Sequence, residues 1–163
     1  MSAPISLYIH IPWCIQKCPY CDFNSHQKNE LFNESRYVDC LLNDMAHDVE
    51  RFQHTAIHSI FIGGGTPSLF SPQAYDKLFS GLQKLLSWQE DTEITLEANP
   101  GTFDQSRFID YRALGINRLS IGVQSFQNTQ LKKLGRIHDS AAAIASIEAA
   151  HNANFQHINI DLM

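Results

Sequence analysis

The chain has 163 residues, 44% of them apolar and 18% charged, and its 12 basic against 17 acidic side chains leave a net charge of −5. That is ordinary globular composition, with enough length for one domain and a real core. The acidic balance argues against a nucleic-acid or anionic-membrane surface, no apolar run approaches spanning length, and Met1-Ser-Ala-Pro-Ile5 has neither the basic start nor the apolar core of an export signal.

The chain alternates strand and helix patterns from its start. Ser6–Ile11 reads as a strand and runs directly into Cys14-Ile-Gln-Lys-Cys18-Pro-Tyr-Cys21, which holds three of the four cysteines. A first helix is predicted over Glu34–Phe52, with Val38, Leu41, Leu42, Met45, Val49 and Phe52 on one face; Cys40 in its middle reads as packing. The second strand, His58–Ile62, leads into Gly63-Gly64-Gly65-Thr66-Pro67. Ser71-Pro72 then provides the N-cap and first-turn pair of a helix whose apolar face is Tyr75, Leu78, Phe79, Leu82, Leu85 and Leu86.

The third strand is predicted at Thr92–Glu97 and is stopped by Asn99-Pro100-Gly101, with a helix following at Asp104–Leu114 and Gly115 as its stop. Asn117–Val123 is the fourth strand, and a polar loop with a short helix carries Gly135-Arg136. Asp139 or Ser140 caps an alanine-rich helix to Asn152, and Gln156–Leu162 is the fifth strand.

Five successive βα units imply parallel strands with right-handed crossovers, in a barrel or an open doubly wound sheet. A parallel strand buried between two helical layers is apolar on both faces. Here Leu7, Ile9 and Ile11 oppose Tyr8 and His10, Ile94 and Leu96 oppose Thr95 and Glu97, and Ile158, Ile160 and Leu162 oppose Asn159 and Asp161. One apolar and one polar face suggest an open barrel with a ligand inside. Cys14–Cys21, Gly63–Thr66, Glu97, Gln124 and Asp161 all lie at or past strand ends, the C-terminal edge where parallel α/β folds place their sites.

Three chemistries compete for the cysteines. The C-x3-C-x2-C spacing lets three thiolates hold three irons of a [4Fe–4S] cluster, and the fourth iron is left for a small molecule. Cys18-Pro-Tyr-Cys21 alone is a C-x-x-C redox pair, though Asp22-Phe-Asn-Ser-His26 is a poor continuing helix and Cys14 would then have no role. Structural zinc with His10 or His26 as fourth ligand is the other alternative, without the second ligand pair such sites usually use. Among the remaining motifs, the triple glycine permits close backbone approach to a ligand or simply makes a tight loop. Glu97 can accept from an ammonium or ribose hydroxyls or be a solvated strand end, and Arg136 offers a fork for a carboxylate or a surface charge.

The cysteine motif resembles that of the radical S-adenosylmethionine (SAM) superfamily. Tyr8-Ile-His-Ile-Pro-Trp-Cys14, Gly-Gly-Gly-Thr-Pro67, Leu96-Glu-Ala-Asn-Pro100, Ser120-Ile-Gly-Val-Gln-Ser-Phe126 and Gly135-Arg-Ile-His138 are similar to the oxygen-independent coproporphyrinogen III oxidase family. The resemblance implies a partial (β/α)6 TIM-like barrel, a [4Fe–4S] cluster on Cys14, Cys18 and Cys21, and SAM beside it. By that resemblance Tyr8 lies near the cluster, Gly64, Gly65 and Thr66 contact SAM, Glu97 faces its amino end, Arg136 its carboxylate, and Gln124 and Asp161 its ribose. Phe23 stands where the decarboxylating oxidases carry a further cysteine, and the first strand begins almost at once where the resemblance gives those oxidases a long N-terminal extension, so the resemblance points to the haem chaperone branch. It leaves open whether the protein is a catalyst or a carrier. Haem or porphyrin, a haem-acceptor protein and an electron donor such as a flavodoxin or ferredoxin are the implied partners, in the cytoplasm. The five units over residues 1–163 are expected to be the N-terminal part of a longer protein, with a sixth barrel strand and a C-terminal domain downstream.

Anaerobic reconstitution should load about four irons and four sulfides per chain, the content of a cubane. Cys14→Ala, Cys18→Ala and Cys21→Ala should each abolish a stable cluster and Cys40→Ala should not, as iron and sulfide analysis will show.

Overall fold

The computed structural model describes residues 4–30, 32–52, 56–101 and 106–163. Strand β1 (Ile5–Ile11) is followed by two short strands, β2 (Trp13–Cys14) and β3 (His26–Gln27), which pair with each other and close the cysteine loop at its base. Helix α1 (Glu34–Asp48) starts at Asn33, whose side chain accepts from the Arg36 N–H. It tightens to a 3-10 turn over Val49–Phe52, so the predicted α-helix to Phe52 ends one turn early. After β4 (Ile57–Gly64), Ser71 caps α2 (Pro72–Leu82) by accepting from Ala74 N–H. Strand β5 (Trp88–Ala98) begins four residues before the predicted Thr92. The predicted start of the next helix at Asp104 lies outside the described residues, and α3 spans Arg107–Ala113. Then come β6 (Arg118–Gln124), α4 (Asn128–Lys133), α5 (Ser140–Asn152), capped by Asp139, and β7 (His157–Leu162).

The five long strands form one parallel sheet in the order β1-β4-β5-β6-β7. Each new strand adds at the same edge, whereas a doubly wound sheet reverses direction part-way. Successive addition is the winding of a barrel, here five strands of an open one. The apolar sides of the strands face the helices: Ile9, Ile11, Ile60, Ile62, Leu96, Leu119, Ile121 and Val123 are buried with Val38, Leu78, Phe108 and Ala150. The opposite face is the polar one, as the alternation predicts. On β7 the apolar side is only partly covered, with Ile160 37% and Leu162 62% exposed. Among the described residues no helix is long and apolar enough to cross a membrane.

Two buried tyrosines fix the turn that follows the glycine motif. The Tyr75 hydroxyl donates to Pro67 O at 2.8 Å, and the Tyr111 hydroxyl donates to Phe70 O at 2.6 Å with Ser68 O at 3.2 Å. The Tyr111 bond gives the Phe70 carbonyl a partner inside the core. Tyr111→Phe should therefore cost about 1–2 kcal/mol, read as a lower denaturation midpoint at unchanged slope. Burial, partly offset by Arg107, pushes the Tyr111 phenol from 10.0 up to about 12. Its contribution is whole below the unfolded value of 10.0 and is lost as pH rises towards about 12. Alkaline unfolding across that window should be shallower in Tyr111→Phe than in the wild type.

Candidate functional site

Beyond the sheet, the pairing of β1 with β4 continues into the loops. Gly65 N–H donates to Ile11 O and Thr66 N–H to Trp13 O, both at 2.7 Å. The glycine motif thus lies against the start of the cysteine loop. A Cβ at Gly65 would stand 2.7 Å from Trp13 O and 3.0 Å from Cys14 Sγ, so only glycine fits there. Gly64 has a φ of 120° that disfavours any other residue, and its N–H donates to Glu97 Oε2 at 3.0 Å.

The cysteine loop is held on its other side as well. His10 Nε2 donates to Asn24 O at 2.7 Å, which leaves Nδ1 to accept from the Tyr8 hydroxyl at 2.9 Å. Lys17 Nζ donates to Phe23 O and Ser25 O. Between these ties the loop bends through a turn in which Cys21 N–H donates to Cys18 O.

A cavity of about 390 Å³ opens at this edge of the sheet. Cys14, Cys18 and Cys21 form one wall, and Gly64, Gly65 and Thr66 the next. Glu97, Asn99, Gly122 and Gln124 line it from β5 and β6 and their ends, Arg136 from the loop after α4, and Asp161 from β7. Of the predicted site residues, the cavity brings together all but Tyr8. Tyr8 lies deeper on the inner face, 57% exposed, stacked against Phe61 with ring centroids 6.2 Å apart, and touches the cysteine loop only through His10.

The charged groups sit in distinct surroundings. Burial pushes the Glu97 carboxyl above its usual range; the Gly64 N–H opposes this, Asp161 adds to it, and His10 opposes. Asp161 accepts from Ser120 Oγ at 3.2 and 3.3 Å and from Asn159 Nδ2 at 2.7 Å. Gln124 has a φ of 65°, a left-handed position at the strand end, and its carbonyl accepts from Met163 N–H. Arg136 spreads its fork between two walls. Nη1 reaches Cys18 Sγ at 3.3 Å and Tyr20 Oη at 3.4 Å, while Nη2 donates to Asn99 Oδ1 and, at 2.8 Å, to Gly122 O.

Asn99 and Gly122 were not singled out from the sequence. The Asn-Pro that ends β5 and the Gly in Ser120-Ile-Gly-Val were visible only as part of longer motifs, and their roles arise from contacts with residues far along the chain.

The thiol geometry bears on the three chemistries. The cysteines are free, and Cys40, expected to pack, is instead exposed on the outer side of α1. Among the described residues no three His, Cys, Asp or Glu side chains gather tightly enough for one metal ion, and His10, a proposed fourth ligand, has both ring nitrogens engaged. No helix starts at Cys18, as a C-x-x-C redox site would have. Three thiols on the wall of one open cavity, with a guanidinium beside one of them, leave room for a group that all three could hold.

Comparison with known proteins agrees with this geometry. Residues 8–163 match the radical SAM superfamily. Curated relatives include the protein named heme chaperone HemW of Escherichia coli K12, 51% identical over 98% of this chain and 42% of its own length. The protein of the same name in Haemophilus influenzae is 49% identical over 98% of the chain and 43% of its own. The chain therefore spans about two fifths of these relatives. Among solved structures, coproporphyrinogen III oxidase (HemN) of Escherichia coli, described as a radical SAM enzyme, superposes with a TM-score of 0.90 at 30% identity, over 98% of this chain and 37% of that one. With the strand order, the cysteine wall and the glycine wall in place, the chain belongs to the radical SAM superfamily.

Proposed function

We propose that the cavity holds a [4Fe–4S] cluster on Cys14, Cys18 and Cys21 with SAM against it, in a cytoplasmic protein that binds haem and delivers it to an acceptor protein. The observation that carries the cofactor half is the convergence of the three thiols, the glycine motif, Glu97, Gln124, Arg136 and Asp161 on one cavity. The name shared by the relatives at 49% and 51% identity supports the haem half. Free, clustered thiols suit a reducing compartment.

When bound, such a cluster supplies an electron source and one iron without a protein ligand. The chain's own groups then sort by chemistry. The Gly64, Gly65 and Thr66 backbone lets a ligand come close, with no Cβ at the first two, while its own N–H groups are held by Glu97, Ile11 and Trp13. Glu97 suits the ammonium of SAM and Gln124 and Asp161 the ribose hydroxyls, while Arg136 meets the carboxylate by turning Nη1 from Tyr20 or Cys18. Tyr8 orients His10, and through it the cysteine loop. Reduction of the cluster calls for a small electron-transfer protein such as a flavodoxin or ferredoxin.

A second reading, oxidative decarboxylation of coproporphyrinogen III, is favoured by the close superposition on HemN. Phe23, 60% exposed beside the cavity, stands where the resemblance gives those oxidases a further cysteine, and this favours the chaperone. A structural iron–sulfur or zinc module is the third.

Purified protein should bind haem and leave the propionates of coproporphyrinogen III intact; decarboxylation in an anaerobic assay would move the assignment to the oxidase. Arg136→Ala removes a charge-assisted pair, so SAM binding should weaken about ten- to hundred-fold by calorimetry, and unchanged affinity would remove that role. Iron content without sulfide, or zinc in its place, would leave only the structural module.

A further inference from the structure

Arg136 has no acceptor atom, so the carboxamide of Asn99 can face it in only one orientation, with Oδ1 towards Nη2. That orientation turns Nδ2 to Thr66 Oγ1, to which it donates at 3.1 Å. The Asn99 backbone N–H also points to Ser68 Oγ at 3.4 Å. Asn99 thus ties Arg136 to the turn after the glycine motif, the turn that Tyr75 and Tyr111 hold from the core side. Space has been cleared for it: a Cβ at Gly122 would lie 2.6 Å from Asn99 Oδ1.

The consequence falls on the guanidinium. Asn99 and Gly122 O both accept from Nη2, which fixes the plane of the fork. Nη1 then has one direction left, towards the cysteine loop, where it meets Cys18 Sγ and Tyr20 Oη. Arg136 Nε is buried without a partner, so the side chain is held by its two Nη groups alone. Without Asn99, Nη2 keeps only the Gly122 carbonyl and the fork is free to rotate about it.

We propose that Asn99 is a positioning residue that sets Arg136 against Cys18, so that the glycine motif, the guanidinium and the cysteine loop move as one unit. The inference rests on the cluster reading above for its redox consequence, and on geometry alone for the loop. A donor fixed beside a cluster sulfur favours the more negative, reduced cluster, so it raises the reduction potential. Asn99→Leu keeps the shape and removes both hydrogen-bonding atoms, whereas Asn99→Asp keeps an acceptor for Arg136, and the Thr66 hydroxyl can turn to donate to its other oxygen.

The test measures three quantities on each variant: cluster potential, SAM affinity, and hydrogen exchange of the 14–21 peptide in cluster-free protein. Asn99→Leu should load iron and sulfide normally yet show a more negative potential, SAM binding weaker by about tenfold and loop exchange faster by about tenfold. Asn99→Asp should keep SAM affinity and loop exchange within about twofold of wild type. In the Asn99→Leu background, Arg136→Ala should add less than it costs alone, because the two act in series. Wild-type values in Asn99→Leu, or an equal loss in both variants, would overturn the proposal. If Asn99→Leu takes up no cluster, restored loading in Asn99→Asp supports the role and failure there refutes it. If wild-type protein takes up none, the cluster reading fails, and the exchange measurement still decides whether Asn99 positions the loop.

Discussion

Two backbone hydrogen bonds beyond the end of the sheet govern the whole site: Gly65 to Ile11 and Thr66 to Trp13. They prolong the parallel pairing of β1 and β4 past the point where both strands stop being regular. The cysteine loop leaves one strand and the glycine motif the other, and the two bonds keep them side by side. Their contact is so close that a single methyl at residue 65 would collide with a carbonyl and with Cys14 sulfur. Everything else on the cavity wall is arranged around that junction. The polar face of β5, β6 and β7 delivers carboxylates and an amide to the open side, and the helices cover only the other face.

Much of this could be read along the chain because its causes are local. Alternation of apolar and polar residues in β1, β5 and β7 gave both the strands and the polar inner face, since the period of a strand is two. Ser71-Pro72 and Asp139 marked helix starts by capping chemistry that needs only neighbouring residues. The early end of α1 escaped, because Val49 to Phe52 keeps the apolar spacing of a helix while its last turn tightens. So did the start of β5: Gln89, Glu90 and Asp91 are exposed and polar, and only Trp88, paired with Ile57, signals a strand there.

The site was legible in its parts and not in its wiring. Cysteine spacing, three glycines and a strand-end glutamate are patterns within a few residues of one another. The role of Asn99 depends on Thr66, Gly122 and Arg136, brought together by strand order rather than by sequence proximity. Tyr8 illustrates the reverse case. The periodicity put it on the inner face, and it is there, but three residues before the end of β1, so it reaches the loop through the imidazole of His10.

The strand order also sets a timetable. Cys18 and Arg136 are 118 positions apart, one after the first strand and one after the fourth of a sheet that grows by one strand at a time along a single edge. During synthesis at roughly 5–20 residues per second, the thiols emerge several seconds before the guanidinium that faces them. Over that interval the nascent chain presents its cysteines on a wall whose opposite side does not yet exist. The long sequence separation thus means that the two facing walls of the cavity meet only once β6 has docked and the segment after α4 has been made.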